Sequence, residues 1–337
     1  MGKRRPLGIT ILIAMEILVL VAVAVCGALR MLAPKEDKRT INTTEATEQA
    51  TEITTEETVA ETEAVATEVE TYVPAELSED IEADIAKMPL EEKVSLLFVV
   101  SPESLTGEDN VNIAGEVTRS ALSSYHIGGL SYNYKNYENE TQIRDLLNNT
   151  RNMALTALGY KPIMFASDAT GDAVVYATGD DMEAMCEALG TEKGVSAVTN
   201  GDSVKVIAHY PADSRVTEAT DIVIFEATTE TAEDEEAVPV CMSAERVLGF
   251  RTANDYNGII MTGKLDAESV TGQYSAAEAA ITAVKAGVDM IYEPESFTEA
   301  YDAVVAAVGE GEIEEETIDM AVGRILSYMK SAENQHE

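Results

Sequence analysis

The sequence has few of the residues that cross-link a chain or bind metal ions. Its 337 residues include only three cysteines and three histidines, and no tryptophan. Three cysteines cannot build a disulfide framework, and since Cys26 lies inside a hydrophobic segment, at most one bridge can form. His and Cys also show no metal-ligand spacing. The sequence therefore predicts neither a metal site nor a cofactor.

Basic residues are scarce as well. The chain has 23 Lys and Arg against 61 Asp and Glu, a formal net charge of -38. Phosphate binding depends on clustered Lys and Arg, so this balance argues against a nucleic-acid partner, and polyanions are repelled. The hydrophobic fraction of 45% is nevertheless sufficient for the core of one large domain or two ordinary ones.

The amino terminus carries a targeting signal. A basic tail, residues 1–6, precedes an apolar stretch, residues 7–32. Glu16 is the only charged residue of this stretch before Arg30. This stretch is long enough to cross a bilayer as a single helix, with the membrane as its partner. A cleaved signal peptide is the rival interpretation, because Ala22-Val23-Ala24 resembles a cleavage site, but its hydrophobic region is usually only about 7 to 15 residues long. We expect a single-pass anchor in the cell membrane with the carboxyl-terminal domain extracytoplasmic.

Residues 33–77 form a linker that is composed mainly of Thr, Glu, Ala and Val. The segment lacks the large apolar side chains that offset chain entropy, and its like charges repel one another. We predict a disordered stalk, which would hold the following domain away from the membrane. The alternative is a plain soluble spacer.

From residue 78 to residue 331 the sequence becomes globular, and residues 332–337 form a short tail. Helix starts are indicated at Ser78 and after Met88. Short apolar runs then alternate with amphipathic helical stretches, the pattern of a parallel sheet covered by helices. The runs are 127–130, 162–166, 204–208, 221–225, 258–262 and 288–292. The pattern predicts an α/β fold, a TIM-type (β/α) barrel that is shortened or incomplete. The strand after Asp172 is the main gap, and Val195–Val198 is one candidate for it.

Several stretches of the domain resemble the amino-terminal domain of glycoside hydrolase family 3, in particular its β-N-acetylhexosaminidase branch. They are MPLEEKVSLLFVVSPESLTG, HIGGLSYNYKNYENETQIRDLLNNTR, PIMFASDATG, NGIIMTGKLDAESV, AAEAAITAVKAGVDMIYEPESF and IDMAVGRILSYMK. The order and spacing of these stretches carry the resemblance from Met88 to Lys330. It implies a barrel whose carboxyl-end loops bind and cleave a sugar.

The resemblance places the catalytic nucleophile at a position that has no side chain. The family's nucleophilic Asp follows a Ser or Thr at the end of the penultimate strand, and here Gly263 follows Thr262. Retaining glycosidases need an ionised carboxylate at this point. Asp266 is no substitute, since three residues span about 10 Å of extended chain, and a helix cap is its simpler role. We therefore predict no catalytic residues.

Other parts of the family site are also altered. The general-acid loop of this branch follows a Lys-His-Phe-Pro-Gly motif, and Ala208-His209-Tyr210-Pro211-Ala212 keeps only its His and Pro. Asp213 follows, but no His comes after it before the next strand. The sugar-binding Asp-x-Glu-Gly-Gly motif is reduced to Asp168 and Gly171.

Two residues remain as candidate substrate-binding groups. Asp168, at a strand end, either binds sugar hydroxyls or caps a helix, and His209 either contacts a ligand or is a structural imidazole. His126 is expected to be structural. A rearranged carboxylate pair is a further hypothesis, drawn from the acidic residues at strand ends, which are Asp172, Glu226 and Glu293.

Two surface features leave alternatives open. Tyr132, Tyr134 and Tyr137 either stack on sugar rings, whose apolar faces suit aromatic side chains, or pack at the rim of the barrel. The acidic run 226–237 either attracts a basic partner or is a solvated loop, and the loop is the commoner case.

The sequence as a whole predicts a membrane-tethered, extracytoplasmic barrel related to family 3 glycosidases that has lost its catalytic nucleophile. Such a domain would bind cell-wall glycan or serve as a scaffold for a surface protein. The alternative is an active β-N-acetylhexosaminidase that hydrolyses O-glycosyl bonds with a rearranged carboxylate pair.

Overall fold

The computed structural model of the chain describes residues 72, 75–167, 174–176, 206–210, 220–228 and 238–334. The strands are β1 (Phe98–Val100), β2 (Gly129–Tyr132), β3 (Ile163–Ser167), β4 (Val174–Tyr176), β5 (Val206–Tyr210), β6 (Thr220–Phe225), β7 (Ile259–Lys264) and β8 (Met290–Tyr292). The helices are α1 (Glu79–Ile85), α2 (Leu90–Leu96), α3 (Pro102–Thr106), α4 (Glu116–Ser124), α5 (Glu140–Leu158), α6 (Ala244–Asn254), α7 (Glu268–Thr271), α8 (Ala276–Ala286), α9 (Phe297–Gly309) and α10 (Glu315–Asn334). Two 3₁₀ turns, Tyr134–Asn136 and Val240–Met242, complete these elements.

The strands form one sheet in the order β4-β3-β2-β1-β8-β7-β6-β5. The first strand pairs with the last, which is the neighbour relation of a closed (β/α) barrel. All ladders are parallel except the one between β3 and β4, which is antiparallel. Among the described residues no ladder joins β4 to β5. The predicted α/β class is confirmed, with a mostly parallel sheet that follows the strand order of a barrel.

All six predicted apolar runs overlap a strand, and the helix starts at Ser78 and after Met88 also agree with the structure. The two remaining strands have only three residues each. β1 begins two residues after α2, so its apolar residues continue the helical pattern. β4 lies at Val174–Tyr176 and runs antiparallel to β3, while the alternative at Val195–Val198 lies outside the described residues.

The core is built from side chains of many strands. Fully buried aromatic residues come from five of them, namely Phe98, Tyr132, Phe165, Phe225 and Tyr292. Strands buried on both faces read as continuous apolar runs, as in β1 and β8. Gly128, before β2, allows the chain to pack closely against the end of α2, because a Cβ at 128 would overlap the carbonyl oxygen of Leu96.

A buried ion cluster joins the starts of β7 and β8. The Asp289 side chain has 0% exposure. Its Oδ1 accepts a hydrogen bond from Arg324 Nη1 at 2.7 Å, and its Oδ2 accepts from Arg251 Nη2 at 2.5 Å and from the Ile260 amide at 2.7 Å. Arg251 also donates to the carbonyl oxygen of Gly258 at 3.0 Å. Both carboxylate oxygens are therefore satisfied, as a buried charge requires.

The described end of the linker is bonded to the same region. The Tyr72 hydroxyl donates to Asn257 Oδ1 at 2.8 Å and accepts from Arg324 Nη2 at 3.1 Å. The amide of Ala75 also donates to Asn257 Oδ1, at 2.9 Å. A cavity of about 610 Å³ lies beside this segment and is lined in part by Asp221. The chain thus enters the domain at the amino-terminal ends of the strands.

The predicted membrane anchor, residues 7–32, and residues 33–71 of the predicted stalk lie outside the described residues. Among the helices of the described part, none combines the length and the apolar content that a bilayer span requires. The anchor and the extracytoplasmic placement of the domain therefore stay predictions.

We expect Asp289→Asn to lower the free energy of unfolding by about 3–5 kcal/mol, because it leaves two buried guanidinium groups without a counter-charge. Urea unfolding followed by circular dichroism measures the effect. The matched control is Asp302→Asn on α9, an exposed carboxylate, which should change stability by less than about 0.5 kcal/mol. Equal losses in the two variants would contradict a stabilising role for the cluster.

Candidate functional site

The carboxyl ends of the parallel strands define one face of the sheet, which we call the carboxyl-end face. In barrels of this type the functional groups come from the loops on this face. The described residues there include Gly263 and Lys264 at the end of β7, Glu226 after β6 and Glu293 after β8. The buried Asp289 cluster lies at the opposite ends of the strands.

Gly263 lies in a bulge at the end of β7. Met261 pairs with Met290 and Lys264 pairs with Tyr292, so β7 has an extra residue relative to β8. Thr262 Oγ1 accepts a hydrogen bond from the Tyr292 amide at 2.9 Å, which replaces a ladder bond. Bulges next to active sites change the direction in which side chains point. Here the bulge includes Gly263, which has no side chain to redirect.

The backbone of the next loop occupies the space beside Gly263. An ideal Cβ at this position would lie 2.6 Å from the amide nitrogen of Ala227 and 3.2 Å from its Cβ. The shorter distance is well inside van der Waals contact, and the atom it involves belongs to the backbone. Any side chain at 263 therefore requires the Ala227 loop to move.

That loop is held in place by three hydrogen bonds. The carbonyl oxygen of Glu226 accepts from the amide of Cys241 at 3.2 Å, and that of Thr228 accepts from the amide of Val240 at 3.0 Å. The Ser269 hydroxyl donates to the carbonyl oxygen of Ala227 at 2.8 Å. The acidic run 226–237 begins in this loop, and its residues 229–237 lie outside the described part of the chain.

Asp266 forms an ion pair rather than the expected helix cap. Its Oδ2 lies 2.8 Å from Lys264 Nζ, and about a third of each side chain is exposed, 36% and 30% respectively. The N-cap of α7 is Ala267. The cap prediction was wrong because Lys264, two residues earlier on the strand, is close enough to bind the carboxylate.

Glu293 has an unusual backbone and a perturbed carboxyl group. Its φ of 42° lies in the left-handed region, which residues other than glycine rarely adopt. Its amide donates to the carbonyl oxygen of Val99 at 2.9 Å, and its own carbonyl oxygen accepts from the Asp266 amide at 2.9 Å. Burial raises the pKa of Glu293 to about 8; the Lys264 ammonium opposes this shift, and the carboxylates of Asp266 and Glu103 add to it. Glu293 is therefore protonated at neutral pH.

Glu103, on α3, was not identified from the sequence. Its Oε1 accepts hydrogen bonds from the Val111 amide and from Asn136 Nδ2, both at 2.7 Å. Asn136 Nδ2 also donates to the carbonyl oxygen of Val111 at 2.9 Å, and Asn136 is fully buried. The only sequence signal was an acidic residue shortly after the apolar run of β1.

Neither predicted substrate-binding residue is tested by the structure. Asp168 directly follows β3, and both Asp168 and Asp172 lie outside the described residues. His209 lies in β5, where it pairs with Ile224 of β6, and only its backbone is described. Their roles stay predictions, as does a carboxylate pair that includes Asp172.

The three tyrosines of the β2 segment have different environments. Tyr132 is fully buried, Tyr137 packs partly buried against the core, and 47% of the Tyr134 surface is exposed. Packing therefore describes Tyr132 and Tyr137, whereas Tyr134 presents its ring to solvent.

The other candidate groups of the described residues are structural or chemically inactive. His126 Nδ1 lies 3.3 Å from a carboxylate oxygen of Glu92, before β2. Burial raises the pKa of the Cys241 thiol to about 12, so this thiol is protonated and weakly nucleophilic at neutral pH. In the described part of the chain no group of three or more His, Cys, Asp or Glu side chains is arranged to hold a metal ion.

Two solved structures share this arrangement of helices and strands. A glycoside hydrolase family 3 β-N-acetylglucosaminidase from Paenibacillus sp. str. FPU-7 has a TM-score of 0.51 and 20% identity, covering 74% of this chain and 64% of that chain. A fungal multi-domain GH3 β-N-acetylglucosaminidase has a TM-score of 0.51 and 11% identity, covering 72% of this chain and 39% of that chain. At this identity the likeness concerns the fold alone, and the chain spans less than two thirds of the length of either protein.

No curated protein sequence is significantly similar to this chain. Residues 211–328 match the family model described as the glycosyl hydrolase family 3 N terminal domain. This segment includes β6, β7 and β8, and with them Gly263 and Glu293. The resemblance to the amino-terminal domain of glycoside hydrolase family 3 is therefore confirmed for this part of the chain.

Proposed function

We propose that this chain is a membrane-tethered, extracytoplasmic glycoside hydrolase family 3-like domain that binds a glycan without hydrolysing it. The observation that carries the proposal is the crowding at Gly263. The position of the family nucleophile has no side chain, and the Ala227 amide lies where a Cβ would be. The fixed loop at Ala227 thus supports a site that has adapted to the absence of a nucleophile.

The neighbouring carboxyl groups are poorly suited to replace the nucleophile. A nucleophilic carboxylate must be ionised and must point at the anomeric carbon. Glu293 is neutral at pH 7 because of its raised pKa, and Asp266 is paired with Lys264. Asp266 follows Gly263 along the chain, and Glu293 follows Tyr292, the partner of Lys264 in the β7–β8 ladder. Glu226 lies on the other side, where its backbone carbonyl carbon is 3.3 Å from the Cβ position of Gly263.

The proposed ligand is a neutral glycan that contains N-acetylglucosamine. The solved relatives are β-N-acetylglucosaminidases by their names, and a net charge of -38 disfavours polyanionic polymers. Residues 7–32 would hold the domain at the membrane, and cell-wall glycan is the polymer of this class within reach of such a domain. Asp168 and His209 are proposed as further ligand contacts.

One observation favours the alternative of an active enzyme. A carboxyl group with a pKa of about 8 is protonated at neutral pH, as a general acid must be, and Glu293 has this property. A working glycosidase would still need an ionised partner, which Glu226 or the undescribed Asp168 and Asp172 would have to provide. The hydrolysis assay distinguishes the two functions.

We expect the purified chain to release no more 4-nitrophenol from 4-nitrophenyl N-acetyl-β-glucosaminide than buffer does, at pH 5.5 and at pH 7.5. We also expect Gly263→Asp to gain no activity, because the Ala227 loop blocks the new side chain. Calorimetry with chitotetraose should instead show weak, saturable binding. Turnover that Glu293→Gln abolishes and the exposed Glu295→Gln preserves would establish the enzyme, and absence of heat with any glycan would favour a protein scaffold.

The crowding at Gly263 predicts a stability effect. Gly263→Ala should lower the free energy of unfolding by about 1–3 kcal/mol, since the added methyl group must displace backbone. The control is Gly249→Ala in α6, where a Cβ meets nothing within 4 Å, and helix propensity should make this variant up to about 1 kcal/mol more stable. Urea denaturation of both variants measures the difference. If Gly263→Ala is as stable as the wild type, the Ala227 loop moves at little cost in free energy, and the prediction is wrong.

The raised pKa of Glu293 predicts a pH dependence of stability. Because the folded state binds this proton more tightly than the unfolded state, ionisation of Glu293 disfavours folding as the pH rises from about 4.5 to about 8. Relative to Glu293→Gln, the wild type should therefore lose stability across this range and change little above it. Urea midpoints of both proteins at pH 4.5, 6.5 and 8.5 measure the effect. A difference in urea midpoint between the wild type and Glu293→Gln that stays the same at all three pH values would contradict the shifted pKa. Such a pH-independent difference is expected for the control Glu295→Gln.

A further inference from the structure

An apolar patch borders the carboxyl-end face near β2. Six large hydrophobic side chains are exposed among the described residues, and three of them lie in two adjoining segments. Ile113 is 73% exposed, Val117 is 48% exposed and Tyr134 is 47% exposed. We call Ile113, Val117 and Tyr134 the rim patch. The other three, Leu155, Leu248 and Val238, come from separate parts of the chain.

The two segments of the rim patch are joined by hydrogen bonds. Asn136 Nδ2 donates to the carbonyl oxygen of Val111 at 2.9 Å, and Gln142 Nε2 donates to that of Asn112 at 2.5 Å. Gln142 Nε2 also donates to the carbonyl oxygen of Asn136 at 3.0 Å. The loop that carries Ile113 and the turn that carries Tyr134 therefore form one bonded unit.

The turn that carries Tyr134 is fixed from within. The Lys135 amide donates to Asn133 Oδ1 at 2.8 Å, and the Asn133 amide donates to Asn136 Oδ1 at 3.0 Å. Asn136 is fully buried and holds the turn against Glu103. An exposed aromatic ring on such a preorganised backbone loses little conformational entropy when a ligand covers it.

The rim patch lies on the same face of the sheet as the candidate site. Tyr134 follows β2, whose carboxyl end lies on the same face as the ends of β7 and β8. Glu103, which binds Asn136, also raises the pKa of Glu293 and therefore lies close enough to interact with it. A ligand that extends from Glu293 towards β2 would meet the rim patch.

We propose that Tyr134, with Ile113 on the adjoining loop, is a stacking subsite for one ring of a neutral oligosaccharide that is bound at the carboxyl-end face. This inference rests on the proposed glycan-binding function and assigns one of its contacts. The apolar face of a pyranose suits an exposed aromatic ring, and the ring hydroxyls suit nearby carboxylates and amides. The net charge of -38 disfavours a polyanionic ligand here as elsewhere on the chain.

The test compares chitobiose with chitotetraose, by calorimetry, on the full chain and its variants. The wild type should bind the tetrasaccharide more tightly than the disaccharide, because only the longer ligand reaches the subsite. Tyr134→Ala should weaken tetrasaccharide binding about tenfold and remove this length dependence. Tyr134→Phe should bind like the wild type, since the ring face is kept.

Leu155→Ala, at an exposed apolar residue of α5, is the matched control and should bind like the wild type. Circular dichroism melting checks that every variant is folded. If the wild type binds chitotetraose and Tyr134→Ala binds equally well, the subsite is refuted and the proposed function stands. If the wild type binds neither sugar, both are refuted, and a protein partner becomes the better candidate for the rim patch.

Discussion

The buried carboxylate of Asp289 is the interaction that sets the geometry of the sheet. It binds two guanidinium groups, from α6 and α10, and the amide at Ile260 in β7, while its own amide binds the carbonyl oxygen of Ile260. An unpaired buried charge would cost several kcal/mol, so the cluster is stable only with all partners in place. The relative position of β7 and β8 is thereby fixed at their amino-terminal ends. The alignment of their carboxyl ends, where Gly263 and Glu293 lie, follows from it.

The carboxyl groups at the two ends of the sheet have neighbours of different charge. At the amino-terminal ends, Asp289 is bonded to the guanidinium groups of Arg251 and Arg324. The Tyr72 hydroxyl of the linker accepts a hydrogen bond from Arg324 and donates one to Asn257. At the carboxyl-end face, Glu293 lies near Asp266 and Glu103, with Lys264 as the opposing charge. Cations stabilise the ionised form of a carboxyl group, and burial beside like charges stabilises the neutral form. The fold therefore surrounds its structural carboxylate with cations and leaves the half-buried Glu293 with a raised pKa.

The sequence predicts those features that depend on local pattern. Apolar runs between turn signals located six strands. Contacts between distant segments leave no such pattern. The approach of Ala227 to Gly263, the binding of Asn136 by Glu103 and the exposure of Tyr134 all depend on how separate loops pack. β1 was also hard to locate, because its apolar residues begin two residues after α2 and continue the helical pattern.

The packing around Gly263 decides whether one substitution could place a carboxylate at this position. If the site had lost only a side chain, an empty space would remain, and one substitution would restore the nucleophile. Instead Ala227 fills that space, and its loop is tied to Cys241, Val240 and Ser269. A functional carboxylate at 263 would need the loop to move and these hydrogen bonds to break, at about 1 kcal/mol or more each. Hydrolysis with a nucleophile at 263 would therefore require coordinated changes in two loops, whereas the proposed glycan binding at the rim would require none.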